Sequence, residues 1–306
     1  MIQKTKVYDK EAFILENKNI SCTVIPSPGA KIVSLFDKRY SREWLVPPMR
    51  PVMEAGYESK FTDGSMGGWD EMLPTIDLCE WKGIQLPDHG EVWQVPWECS
   101  TDNDSLQTAV HCRYFPFIFS RNISLFSDDT FIFSYTLTNV GEKSYPWLWA
   151  AHPQFSVNLQ TKICFPEDVK QLVNVINGDP VFGAEGNVVN FPYGNGKEEL
   201  HLDHIGLSDL GACRKHYCLP GCIISKAGLT DQSSCCSLWL EWDHGVIPYC
   251  GLWVDEGAYH HKPVAAIEPS SGYYDSLKKA YNNHRLPYLD PKKSVNWNLR
   301  VNFSGM

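Results

Sequence analysis

Alternation of apolar and polar residues, repeated along most of the chain, restricts this sequence to sheet architectures. In the segment 130–138, Phe131, Phe133, Tyr135 and Leu137 fall on one face, while Ser134, Thr136 and Thr138 fall on the other. The segment 295–302 sets Val295, Trp297, Leu299 and Val301 against Asn296, Asn298, Arg300 and Asn302. Ser237 to Trp242 repeats the pattern with Leu238, Leu240 and Trp242. A period of two belongs to a pleated strand with one buried face. Further strand-like runs cover 12–16, 20–25, 31–36, 107–114, 117–126, 221–226, 250–255 and 264–268. Turn signals separate them: Ser27-Pro28-Gly29, Ser127-Asp128-Asp129, Asn139-Val140-Gly141 and Asn177-Gly178-Asp179-Pro180. Helical periodicity is scarce, and its best candidate is the short stretch from Asp275 to Asn282. Many short strands without βα alternation imply an all-β sandwich or barrel of antiparallel sheets. No composition shift marks a linker, so residues 1–306 are expected to form one domain. Two long stretches, 38–100 and 178–215, read as irregular loops, and loops of that length tend to be functional.

The net charge of −9 argues against a nucleic-acid footprint, which needs a basic face. It also disfavours a strongly phosphorylated substrate, unless a local arginine cluster overrides it. The N-terminal ten residues lack the apolar core of a signal peptide, and no apolar run is long enough to span a bilayer. A cytoplasmic location without membrane contact is expected, and 11 cysteines, several inside strand-like runs, fit buried free thiols. Cys213, His216, Cys218 and Cys222 put four potential zinc ligands within ten residues. Structural zinc sites usually pair two clusters across a longer segment, so a cysteine-rich loop is the competing account. The adjacent His260 and His261 are expected in an exposed loop.

Two residues stand where apolar runs break into polar ones: His152, in Ala150-Ala151-His152-Pro153-Gln154-Phe155, and Glu268, in Ala265-Ala266-Ile267-Glu268-Pro269-Ser270. The following proline removes a backbone donor and disfavours continuing the ladder. A histidine and a carboxylate at strand ends suit general acid–base work, and they equally suit two hydrogen-bonded groups at a sheet rim. The first long loop holds the densest polar and aromatic patch, with Trp69, Asp70, Glu71, His89 and Trp93. Sugars are bound by such a mixture, aromatic rings meeting C–H faces and polar groups meeting hydroxyls. The other reading is a structured loop whose tryptophans cover the sheet. Asp243 follows a strand, where it either bonds a hydroxyl or caps its own turn. Trp253 either stacks on a sugar or fills the core.

Taken in chain order, Asp88-His89-Gly90, Thr136-Leu137-Thr138-Asn139-Val140-Gly141, Ala150 to Phe155 and Ala265 to Gly272 resemble the aldose 1-epimerase (galactose mutarotase-like) family. The loop Gly67-Gly68-Trp69-Asp70-Glu71 resembles a less studied branch of it. The resemblance spans residues 20 to 303 and implies a single-domain β-supersandwich with the site on one concave sheet. It implies Glu268 as general base at the anomeric oxygen and His152 as general acid at the ring oxygen, facing each other across one pyranose. His89, Asp70, Glu71, Trp69, Asp243 and Trp253 would bind the sugar. No metal, nucleotide or redox cofactor is called for, and the partner is a small monosaccharide bound by a monomer or a homodimer. Members acting on sugar phosphates carry basic residues near the cleft, and Arg113 and Arg121 keep that substrate open. The alternatives are a non-catalytic carbohydrate-binding or sugar-sensing protein on the same fold, and an accessory domain of a polysaccharide-cleaving enzyme.

Overall fold

The alternating runs form strands, with one exception. The computed structural model describes residues 2–102, 104–176, 181–194, 201–206 and 211–306. Two large antiparallel sheets dominate it. The larger, twelve-stranded sheet runs from Ile2–Val7 through Lys10–Glu16, Ile20–Ile25, Lys31–Asp37, Gly68–Met72, Ala150–Ser156, Val264–Ser270, Tyr249–Glu256, Ala212–Cys218 and Gln171–Asn174 to Val188–Asn190. Arg42–Glu43 is added beside Lys31–Asp37. The smaller, eight-stranded sheet has the order Thr161–Cys164, Lys226–Asp231, Cys236–Trp242, Ser294–Gly305, Thr130–Asn139, Phe117–Ser127, Ser105–His111 and Glu98–Thr101.

Alternation decides how the sheets pack. Phe131, Phe133, Tyr135 and Leu137 are buried against Trp297, Leu299 and Val301 and against the facing sheet. Their outward neighbours form a polar ladder, Ser134 donating to Asn298 at 2.8 Å and Thr136 to Asn296 at 2.7 Å. The middle of the larger sheet is covered on both faces: all residues of Gly68–Met72, Val264–Ser270 and Ile20–Ile25 are buried. Such strands lose the alternating signature.

Several expectations change here. The run 221–226 is a turn, and the strand there begins only at Lys226. Pro153 and Pro269 do not end their strands; both lie inside them, where the ladder between Ala150–Ser156 and Val264–Ser270 is interrupted and needs no donor. The stretch 38–100 carries four whole strands, the start of a fifth and two short 3₁₀ turns, and so is far from irregular. The helix forms as Leu277–Asn282, with the Ser276 hydroxyl accepting from the Lys279 N–H. His260 is buried, unlike the exposed His261, because its N–H and those of its neighbours bond Asp255. The expected turn at 177–180 lies outside the described residues, as do parts of 178–215. Among the described residues, no helix is long and apolar enough to cross a membrane.

Candidate active site

The register across the larger sheet brings the chemistry together. Tyr217 pairs with Gly251, Gly251 with Glu268, and His152 with Asp70. Ala150 pairs with Ser270 and Phe155 with Ala265, and the same register between those points sets His152 directly opposite Glu268. Paired residues share a face. One row, Tyr217–Gly251–Glu268–His152–Asp70, therefore crosses five strands with its side chains on the same side. The glycine in that row is required by space: a Cβ on Gly251 would lie 3.0 Å from Glu268 Oε2 and 3.3 Å from Tyr217 Cζ.

His152 Nδ1 meets Glu268 Oε1 at 2.9 Å. The two were expected to stand across a pyranose; they stand side by side instead. With Nδ1 engaged, Nε2 is the ring atom left for a ligand. Lys215 Nζ lies 2.8 Å from Glu268 Oε2 and 3.1 Å from Asp275 Oδ1, and the Tyr217 hydroxyl donates to the same Asp275 oxygen at 2.9 Å. Burial pushes the Glu268 carboxyl up, but Lys215 and then His152 outweigh it and hold it down at about 2. Burial lowers the His152 ring below its ordinary value, against the raising effect of Glu268. Burial also opposes the charge on Lys215, yet Asp275 and Glu268 raise it above the ordinary lysine range.

These groups floor a cleft of about 380 Å³, within the ~300–1,000 Å³ range of small-ligand sites. Its walls are aromatic. Phe61 stacks on His89 with centroids 4.1 Å apart and planes 7° apart, and both rings stand edge-on to His152 at 5.3 Å. Trp253 lies 5.7 Å from His152 on the other side, with Tyr259 beyond it. His89 has a φ of 58° and Gly90 one of 72°. A Cβ on Gly90 would lie 2.2 Å from the Leu73 carbonyl oxygen, so only glycine lets the loop turn His89 into the cleft. Asp88 completes this wall, accepting from the Phe61 N–H at 2.8 Å and meeting His89 Nδ1 at 2.9 Å. Burial pushes its carboxyl up, but His89 and the Phe61 N–H prevail and hold it below the ordinary value.

His152, His89 and Trp253 thus line the cleft, and Glu268 lies directly beneath it. The other expected sugar-binding residues do not. Trp69 packs between the sheets against Phe133 and Phe155. Glu71, on the same inner face, is fully buried and bonded by Arg121, Tyr135 and Trp149. Asp70 shares the His152 face but is covered, 1% exposed and ion-paired with Lys31. Asp243 caps its own exposed turn, accepting from the Gly245 N–H at 2.9 Å, at the end of a strand in the smaller sheet. Neither arginine supports a phosphate, since Arg121 is committed to Glu71 and Arg113 packs over Tyr57 outside the cleft lining. Cys213 and Cys218 lie five residues apart along an extended strand and so on opposite faces, and no three of Cys213, His216, Cys218 and Cys222 bring ligand atoms within metal-binding distance. Among the described residues, the one grouping with metal-ligand spacing is His201, Asp203 and His204, away from the cleft lining.

Lys215, Asp77, Asp275 and Phe61 line the cleft without having been singled out in the sequence. Lys215 had one signal: in Ala212–Cys218 it alternates with Cys213 and Tyr217, which places all three on one face once the segment is read as a strand.

No protein-family model matches the chain, and no curated protein does. Solved structures match closely in shape. A galactose mutarotase-like protein from Clostridium acetobutylicum superposes with a TM-score of 0.71 at 14% identity, covering 100% of this chain and 99% of that one. A candidate aldose 1-epimerase from Escherichia coli K12 gives 0.70 at 14% identity, with 100% of both chains covered. A galactose mutarotase-like protein from Lactobacillus casei ATCC 334 gives 0.65 at 19% identity over 96% of this chain and 100% of the other. The chain has the galactose mutarotase-like fold.

Proposed function

We propose that this protein is an aldose 1-epimerase, interconverting the α and β anomers of an aldose by acid–base ring opening, with Glu268 and His152 as the proton-transfer pair. The observation that carries the reading is the 2.9 Å contact between His152 and an ionised, fully buried Glu268 at the floor of an aromatic cleft. O1 and O5 of a pyranose are bonded to the same carbon, so neighbouring groups can reach both. Glu268 takes the O1 proton while His152 Nε2 delivers one to O5. The C1–O5 bond breaks, the aldehyde turns about C1–C2, and reclosure with reversed transfers gives the other anomer. Lys215 spans two carboxylates, so it can stay on Asp275 while Glu268 Oε2 turns to the sugar. Burial disfavours the imidazolium of His152, and the Glu268 contact offsets part of that cost during the transfer. Stacking of the apolar sugar face on Trp253 or the Phe61–His89 pair would orient the ring. All these steps use side chains of this chain alone.

The test is anomer equilibration of freshly dissolved α-D-glucose, α-D-galactose and further aldoses, followed by polarimetry or saturation-transfer NMR. Wild type should accelerate at least one sugar, and Glu268→Gln should lose about 10²–10⁴-fold of that rate while remaining folded. If no sugar equilibrates faster with wild type than with the Gln variant, the catalytic reading fails. Calorimetric sugar binding that persists in both would then favour a non-catalytic carbohydrate-binding protein.

A further inference from the structure

The charges around the cleft are unevenly matched. Asp77, Asp88 and Asp275 line it and Glu268 lies beneath, while Lys215 is its single lysine or arginine among the described residues. That ammonium is already bonded to Glu268 and Asp275. The carboxylate of Asp77 differs from the other three, because it makes no hydrogen bond or ion pair with any described residue and is exposed. Its backbone N–H bonds the Asp275 carbonyl, which fixes it at the mouth of the cleft beside Asp275. The groups that face it electrostatically are Asp275, Lys215, His89 and Lys279. Lys279 already pairs with Glu185 at 2.9 Å and Lys215 with its two carboxylates, while His89 meets Asp88. A second polar group also waits for a ligand. His152 is 4% exposed and, among the described residues, bonded only through Nδ1, so Nε2 faces the same cleft with no described partner.

We propose that the cleft is built for an aldose bearing a protonated amine, an amino-deoxy sugar, and that Asp77 is the carboxylate that recognises the ammonium group. This rests on the epimerase reading and names the substrate class of that site. An uncharged aldose can donate only a hydroxyl to Asp77. A uronate or a sugar phosphate would bring a further anion beside Asp77, Asp88 and Asp275, with no uncommitted lysine or arginine among the described residues lining the cleft to meet it. An ammonium group supplies the partner that Asp77 lacks among the described residues, in a charge-assisted bond. Desolvation by the surrounding protein and then the neighbouring Asp275 raise Asp77 to about 6, and the attraction of a bound cation offsets both.

The experiment compares glucosamine, galactosamine and mannosamine with glucose, galactose, mannose, glucuronate and glucose 6-phosphate, on wild type and Asp77→Asn. Anomerisation kcat/KM is read at pH 7, and ligand-observed NMR binding is read on the Glu268→Gln chain. The expected result is a preference of about tenfold or more for an amino sugar over its parent in wild type, with the anionic sugars weakest. In Asp77→Asn the amino-to-parent ratio should fall to within about twofold. The KM for the amino sugar should also improve in wild type as pH rises through about 6, because Asp77 ionises there, and this improvement should be absent in the variant. Turnover with equal preference for amino and parent sugars overturns this inference alone, as does a preference that survives Asp77→Asn. Amino-sugar binding without turnover overturns the epimerase reading alone. Binding and turnover of none of the sugars overturns both.

Discussion

In the proposed mechanism, Lys215 sets what kind of base Glu268 is. A carboxylate this deeply buried would titrate high without compensation, and the ammonium 2.8 Å away is the largest influence bringing it down to about 2. A base must be ionised to act, so in wild type the acid limb due to Glu268 lies below the range of ordinary assays. Replacing Lys215 by Met leaves burial opposed only by His152. The folded-state pKa then rises, and activity should be lost as pH falls through this higher value. We expect kcat of Lys215→Met to decline with acidification between about pH 7 and 5, where the Glu268 limb is absent from wild type. Profiles of kcat taken from pH 4 to 8 on both proteins check this, and coincident profiles would remove Lys215 from the mechanism. His152 is legible in the sequence because it heads a motif. Lys215 is not, because its partners are 53 and 60 positions away and only the register of three strands brings them together.

Strands of the smaller sheet can be read directly, since one face meets the core and the other meets water. The central strands of the larger sheet cannot. In Gly68–Met72 every residue is buried, and its acidic pair is satisfied by Lys31, Arg121, Tyr135 and Trp149, none of them near in sequence. A charged segment without alternation reads as a loop, which makes Trp69, Asp70 and Glu71 look like ligand-binding residues. Glu268 and His152 are visible as candidates, but the 2.9 Å contact follows from a pairing that their prolines conceal. That pairing gives a test at the level of the strand. Gly251 sits between Tyr217 and Glu268, and an added methyl group must displace the carboxylate or the tyrosine ring. Gly251→Ala should cost about 1–3 kcal/mol through overpacking. It should also lower kcat by about tenfold or more, because Glu268 is moved from Lys215 and His152. Urea unfolding gives the first quantity and anomerisation the second. An Ala variant with unchanged kcat would show that the close approach at Gly251 is irrelevant to the chemistry.

At the scale of the molecule, the sheet that carries the cleft is joined to the other sheet by a polar knot inside an apolar core. Glu71 projects from the larger sheet and Arg121 from the smaller, 2.7 Å apart and both inaccessible to water. Tyr135 and Trp149 donate to the same carboxylate at 3.0 and 2.8 Å, and the Arg121 guanidinium also bonds the Ala30 carbonyl. Burial pushes the Glu71 carboxyl above its ordinary value, while Arg121, Trp149 and Tyr135 pull it back, so the charge depends on its partners. Two apolar residues of similar size would be no worse for stability in such a place, whereas one charge left alone would be. Glu71→Leu and Arg121→Leu should each cost about 3–5 kcal/mol, and the double replacement should be less costly than their sum by about 1–3 kcal/mol. Urea unfolding of the three variants closes the cycle. Strict additivity would mean that the two charges do not hold each other. The knot lies directly behind the strand whose Asp70 pairs with His152, so a single replacement that leaves the chain folded should still disturb the cleft. Its effect on kcat should follow the stability cycle, largest in the singles and partly restored in the double, because the same displaced strand underlies both.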